Sequence, residues 1–295
     1  MSEEVRQDFS PTIAKWRQID LTAYFGERHT SDPRIKHLSI VSLTIFAIIF
    51  SLIYCVGFYV VNAIWKRNDK VNNDYRLSWK LTNYTLSTFH ATLSVLGFFH
   101  MTFVSCDKVG ETIFSDPTCL DVTSPGMEIF LMLTFAYFAM DCVSGRLIWP
   151  KFGDFAETFF HHVFGFVGIL TAYQVGRLIG TVTICVLFTE ISTPFLNVMN
   201  MFRLLKLTGS HSKAFDLNSV LLAISFFFSR VIFYGYVLFF MVVPAASNTR
   251  YADLEKEIGW FQKKWAQAMF FLFVGLYVIN LYWFYKLIRG YLRIK

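Results

Sequence analysis

The stretch "LSIVSLTIFAIIFSLIYCVGFYVVNAIW", Leu38 to Trp65, runs for 28 residues without a charged side chain. About 20 such residues, coiled as a helix, cross the roughly 30 Å hydrocarbon core of a bilayer. A helix also satisfies its own backbone N–H and C=O groups where no water can do so. A barrel strand would alternate apolar and polar residues, and this run does not alternate. One segment therefore assigns the chain to the helical membrane proteins.

The same pattern repeats along the chain. Leu81–Val104, Phe159–Gly176 and Trp265–Tyr285 are also uncharged, while Met127–Trp149 carries Asp141, Leu178–Phe202 carries Glu190 and Leu217–Pro244 carries Arg230. The expected architecture is an all-α bundle of seven transmembrane helices with a polar internal cavity. Composition agrees, because 55% of residues are hydrophobic and 16% charged, against about 25% charged in soluble domains. The formal net charge of +6 is spread over loops without a Lys/Arg block, which argues against a nucleic-acid partner. The opening "MSEEVRQDFS" has the marks of neither a signal peptide nor an Arg-rich transit peptide.

Seven spans put the termini on opposite sides. Counting Lys and Arg near the span ends gives 14 on the C-terminal side and 9 on the other, which favours a cytosolic C-terminus, or a matrix-side one in a mitochondrial membrane. Cys106 and Cys119 share the acidic second-to-third loop, where a disulfide and two free thiols are equal alternatives. Tyr251, Leu254, Ile258, Phe261 and Trp265 recur at helical spacing, which predicts an interfacial helix leading into the last span. "TIAKWRQIDLTAYF" near the N-terminus has a weaker pattern of this kind. The expected division is a polar arm (1–37), a leading helix and loop (38–74), the main membrane domain (75–291) and a short tail (292–295).

Polar groups inside the spans fall on single faces. Asn83, Ser87 and His90 are spaced i, i+4, i+7, and Tyr137 and Asp141 are spaced i, i+4. Glu190, Thr193 and Asn197 follow the same rule, and Arg230 and Asn280 lie in the last two spans. Ionisable groups in hydrocarbon face a partner or a wet cavity, so these stripes are expected to converge, with Arg230 neutralised by Glu190 or Asp141. The weighed alternative for each residue is simple helix-to-helix packing, worth about 0.6 kcal/mol per polar contact. His161 and His162 open the fourth span. They point about 100° apart, so both cannot face one atom. A zinc or diiron site is disfavoured by the single His doublet, and no metal is expected.

The ordered segments "NYTLSTFHATLS" (Asn83–Ser94), "AYFAMD" (Ala136–Asp141), "FFHHVFG" (Phe159–Gly165), "TEISTPFLN" (Thr189–Asn197), "FFFSRVIF" (Phe226–Phe233) and "NLYWFYKLIRG" (Asn280–Gly290) resemble the TLC-domain family of eukaryotic lipid-associated membrane proteins. In the family's ceramide synthases the His pair is followed, in the next span, by a third His, an adjacent Asp and a second Asp. Those places are Thr189, Glu190 and Thr193 here. The E-x-S-x-P-F pattern of Glu190–Phe195 instead resembles the non-synthase branch, associated with membrane lipid composition, although the Arg often found in the Val198–Asn200 stretch is missing.

The resemblance implies a lipid-associated membrane protein without synthase activity; the function expected is a largely non-catalytic lipid-binding or structural subunit, with a place in a larger membrane complex as a further expectation. Asn83, Ser87, His90, Tyr137, Asp141, Thr193, Asn197, Arg230 and Asn280 would line its cavity. Its implied partners are membrane lipids and other membrane-protein subunits. The endoplasmic reticulum or another endomembrane is the implied location, with the mitochondrial inner membrane as the alternative. The alternative activity is an acyl-CoA-dependent sphingoid-base N-acyltransferase using His161, His162 and Glu190. Imidazole suits the base role because its ordinary pKa of about 6.5 lies near working pH. No cofactor is expected, acyl-CoA entering only as co-substrate of that alternative. A transporter would call for inverted repeats or broken helices, and neither is evident in the sequence.

Overall fold

A computed structural model of the chain describes residues 40–104, 112, 114, 125–148, 156–175, 177–243 and 260–294. These residues are helical apart from short turns, and no strand occurs among them. Four single helices come first: α1 (Ile40–Trp65), α2 (Tyr75–Val104), α3 (Pro125–Ile148) and α4 (Ala156–Val175), with one helical turn, Asp69–Asn72, between α1 and α2. A composite rod follows, in which α5 (Arg177–Leu187) tightens into a 3-10 segment, Phe188–Ser192, and continues as α6 (Thr193–Leu204). The next rod begins as α7 (Ser212–Phe226) and passes through two π-helical stretches, Phe227–Phe233 and Val237–Val242, separated by Tyr234–Tyr236. The last rod is α8 (Trp260–Ile294).

Five of these seven rods are long and apolar enough to cross a membrane. The two others, α2 and α4, correspond to spans expected from their uncharged runs. Their apolar content is diluted by groups such as Asn83, Ser87, His90, His161 and His162, which face the interior. The fold is thus an all-helical multi-pass membrane bundle, with five of the expected seven spans carried by hydropathy.

The expected interfacial helix falls outside the described residues from Tyr251 to Gly259, and its remaining part is continuous with the last span. At 35 residues, α8 is about 52 Å long by the usual rise, so it extends well beyond a hydrocarbon core. The N-terminal arm, its weakly periodic segment, and Cys106 and Cys119 lie outside the described residues.

Packing places α3 at the centre of one half, against α1, α2 and α4, while α2 also packs along the α5–α6 rod. The α7 rod and α8 close the other half against α6, the 3-10 segment and α4. Met127, Leu131, Phe138, Ile169, Ile184, Cys185, Tyr234 and Met269 belong to one continuous buried cluster. Outward faces remain apolar, as on α1 with Ile48, Leu52, Ile53 and Val56, which is the surface that lipid requires.

Small residues set the closest approaches, as is usual between membrane helices. The sharpest is Gly165 of α4, where an added Cβ would overlap the ring of Phe138 from α3. Gly165→Ala is therefore expected to destabilise the bundle by about 1–3 kcal/mol through overpacking. Thermal unfolding in nanodiscs should show a lower midpoint than Gly209→Ala, a control where nothing lies within 4 Å of the new carbon. Equal midpoints would show that α3 and α4 do not meet through this contact.

Candidate lipid site and its buried charges

The site starts from a proline. Pro194 cannot donate to a carbonyl four residues back, and its ring clashes with that group. The carbonyl belongs to Glu190. The chain responds by tightening: Phe188–Ser192 is 3-10, and the backbone N–H of Thr193 bonds the Glu190 carbonyl instead. In this geometry residues i and i+3 eclipse. Thr193 accordingly stands over Glu190 and donates its hydroxyl to Oε2 at 2.6 Å.

Arg230 meets this pair from the π-helical stretch of the neighbouring rod. Only 4% of the residue is exposed. Its Nε donates to Ser192 Oγ at 2.8 Å, Nη2 to Thr193 Oγ1 at 3.0 Å and Nη1 to Asn280 Oδ1 at 3.4 Å. Nη2 also lies 3.5 Å from Glu190 Oε1, and the guanidinium carbon sits 5.3 Å from the centre of the Phe226 ring. The planar fork of donors thus ties its own rod to two others, the α5–α6 rod and α8.

The two histidines divide between two carboxylates. His161 Nε2 is 4.0 Å from Glu190 Oε1, too long for a direct hydrogen bond but within ion-pair range. His162 Nδ1 is 2.9 Å from Asp141 Oδ2, a close polar contact that lacks in-line hydrogen-bond geometry. His162 also stacks on Phe138, with ring centres 4.7 Å apart.

Beyond it lies a second polar group. Tyr137 stacks on His90 at 3.9 Å, Ser87 is a hydrogen-bond partner of the Tyr137 phenol, and His90 Nε2 is 3.1 Å from Ser94 Oγ and 3.4 Å from Thr134 Oγ1. Asn83 accepts from Ser144 at 3.4 Å. Asn197 is apart from both groups, donating to Thr88 Oγ1 at 3.1 Å.

Between α3, α4, the α5 rod and α8 is a narrow pocket of about 40 Å³. Its walls include Phe138, Phe164, Gly165, Gly168, Ile169, Val186, Leu187 and Met269. Of the residues singled out in the sequence, His161 and Glu190 line it. Thr183 and Thr189 also line it, but each hydroxyl is spent on its own helix, donating to Ile179 O and Val186 O at 2.7 Å. Polarity is therefore confined to the end at His161 and Glu190. The buried Nδ1 of His161 has no hydrogen-bond partner, an uncommon state for a buried nitrogen.

Sequence reasoning missed the walls of this pocket. The signal available was Gly165-Phe166-Val167-Gly168, two glycines three apart on one helix, the kind of spacing that lets helices approach closely. It also missed Ser192, which becomes a ligand of Arg230 only because the 3-10 turn rotates it there. No group of three or more His, Cys, Asp or Glu side chains able to hold a metal occurs among the described residues.

The family model of the TLC domain matches residues 77–289, well over half of the chain. The chain is a TLC-domain protein. No curated relative matches it. The family assignment covers every rod that builds the pocket, from α2 to α8, and leaves α1 outside the matched region.

Removing one partner of a buried ion pair leaves the other charge uncompensated, which costs about 3–5 kcal/mol. Arg230→Ala is expected to lower the unfolding midpoint strongly. Adding Glu190→Gln should restore much of the loss, because the neutral amide no longer needs a cation. A double variant as unstable as the sum of the singles would show that the two residues do not neutralise each other.

Proposed function

We propose that this TLC-domain protein binds a single-tailed membrane lipid in the pocket between α3, α4, α5 and α8 and does not turn it over. One observation carries the reading: an apolar pocket has its polar end at His161 and Glu190, and His161 has a buried nitrogen, Nδ1, without a hydrogen-bond partner. Ligand sites commonly pair an apolar wall with a few placed polar groups. An acyl tail fills the slot, and its head group supplies the missing hydrogen bond. The resemblance to TLC-domain proteins supports an endoplasmic-reticulum or other endomembrane setting.

The unpartnered nitrogen also favours a second reading, acyl-CoA-dependent N-acyl transfer with His161 as base. A base must reach the proton it takes and be oriented for it. Glu190 is committed to Arg230 and Thr193, and His162 turns away onto Asp141 and Phe138. These commitments support the binding reading over the catalytic one.

Extraction of lipid from protein purified in a mild detergent, followed by mass spectrometry, should find an acyl lipid near one per chain. His161→Ala should release most of it while leaving the protein monodisperse. Protein incubated with labelled acyl-CoA and sphingoid base is expected to give no amide product. Product formed by the native chain and abolished in His161→Ala would replace the binding reading with the catalytic one.

A further inference from the structure

One exposed polar group on α4 and α8 leads directly into the buried site. Glu157, in the first turn of α4, accepts from Trp283 Nε1 at 2.9 Å through its Oε2. Lys286 Nζ donates to the same carboxylate, at 2.9 Å to Oε1 and 3.1 Å to Oε2. The indole of Trp283 lies against His161, with ring centres 5.3 Å apart. His161 in turn faces Glu190, and Glu190 faces Arg230.

The spacing explains why these groups meet. Glu157 and His161 are i, i+4 on α4, and Trp283 and Lys286 are i, i+3 on α8, so each pair shares one helix face. The two helices pack against each other. Trp283 suits the middle position because indole combines an apolar ring with a single N–H donor. Its ring meets the imidazole and its donor meets the carboxylate.

Exposure falls in the same order. The side chains of Lys286 and Glu157 are 48% and 52% exposed, that of His161 16%, Glu190 11% and Arg230 5%. Trp283 is half-buried between the outer pair and His161. The outer contacts are also the weak ones, because an exposed ion pair contributes little and salt screens it.

We propose that Trp283 is a movable cover over His161, latched by Glu157 and Lys286, and that release of this latch opens the polar end of the site to reagents from outside. A rotamer change at Trp283 that gives up the Glu157 bond and the His161 ring contact is enough to uncover the imidazole. Access to His161 is a property of the protein alone, so its test is separate from the binding reading above.

The full chain in nanodiscs is treated with diethyl pyrocarbonate, which attacks unprotonated imidazole, and the modification rate is read at each histidine by tandem mass spectrometry. His162 serves as internal reference, because it faces Asp141 and Phe138. Relative to His162, His161 should react about two- to fivefold faster in Glu157→Gln and in Lys286→Met, the scale on which an exposed ion pair acts. Direct charge effects on the imidazole would move these two variants in opposite directions, so a rise in both reports the latch. Added salt should speed the native chain and leave Glu157→Gln unchanged. Trp283→Ala, which removes the cover, should raise the rate further. Trp283→Phe keeps a ring over His161 without the donor and should match Glu157→Gln; it keeps the test decisive where Trp283→Ala is not monodisperse. Native reactivity of His161 in the folded Trp283 variants would overturn the cover. Native or opposite changes in Glu157→Gln and Lys286→Met would overturn the latch. A rise at His161 and His162 alike would mark a general loosening of the bundle and would overturn both.

Discussion

A guanidinium enclosed by hydrocarbon needs a counter-charge and acceptors for its N–H groups, and the arrangement around Arg230 answers both needs. Glu190 supplies the charge, while Ser192, Thr193 and Asn280 supply acceptors. Three of the four come from one short stretch, Glu190 to Thr193, and the fourth from α8. Pro194 favours the 3-10 turn that holds Glu190 and Ser192 just before Thr193, and Arg230 projects from a π-helical stretch. Departures of this kind are frequent at functional sites. Here they share one outcome, the satisfaction of a single buried cation.

That constraint decides the roles of the histidines. Because Glu190 faces Arg230, only the member of the pair on the same side of α4 can approach it, and that member is His161. The helical turn between adjacent residues sends His162 the other way, to Asp141 and the ring of Phe138. Phe138 thus stands between the slot, which it lines, and the second polar group around Tyr137 and His90. The pocket keeps an apolar interior next to several ionisable groups because only His161 and Glu190 among them line it, and Glu190 is held by Thr193 and Arg230.

Much of this was legible in the sequence, and the parts that were not share a cause. Uncharged runs predict helices, and polar spacing predicts which faces turn inward. The pairing of Arg230 with Glu190 was one of two options, since both Glu190 and Asp141 lie at plausible depth. The choice depends on rotation of one rod about another, which no single-helix pattern encodes. Asn197 shows the same limit. It belongs to the stripe of Glu190 and Thr193, yet it bonds Thr88, because α6 has resumed α-helical winding and faces α2 at that level. The pocket itself was invisible because its walls come from four elements, and at Gly165 and Gly168 they are formed by side chains from other helices, Phe138 and Met269. Periodicity reports what a residue carries and is silent about what it leaves empty.

The departures from the ceramide-synthase pattern can now be given physical content. Where that pattern has a second Asp, this chain has Thr193, whose hydroxyl donates to Glu190 and accepts from Arg230. A carboxylate there could not donate to Glu190 without binding a proton, and one guanidinium would face two negative charges. Where the pattern has a third His, Thr189 closes its hydroxyl onto its own helix and offers the slot a methyl group. Both changes act in one direction. They remove groups able to carry a proton and replace them with groups whose hydrogen bonds are complete within the protein. What remains at the polar end of the pocket is one imidazole, His161, whose Nδ1 has no hydrogen-bond partner.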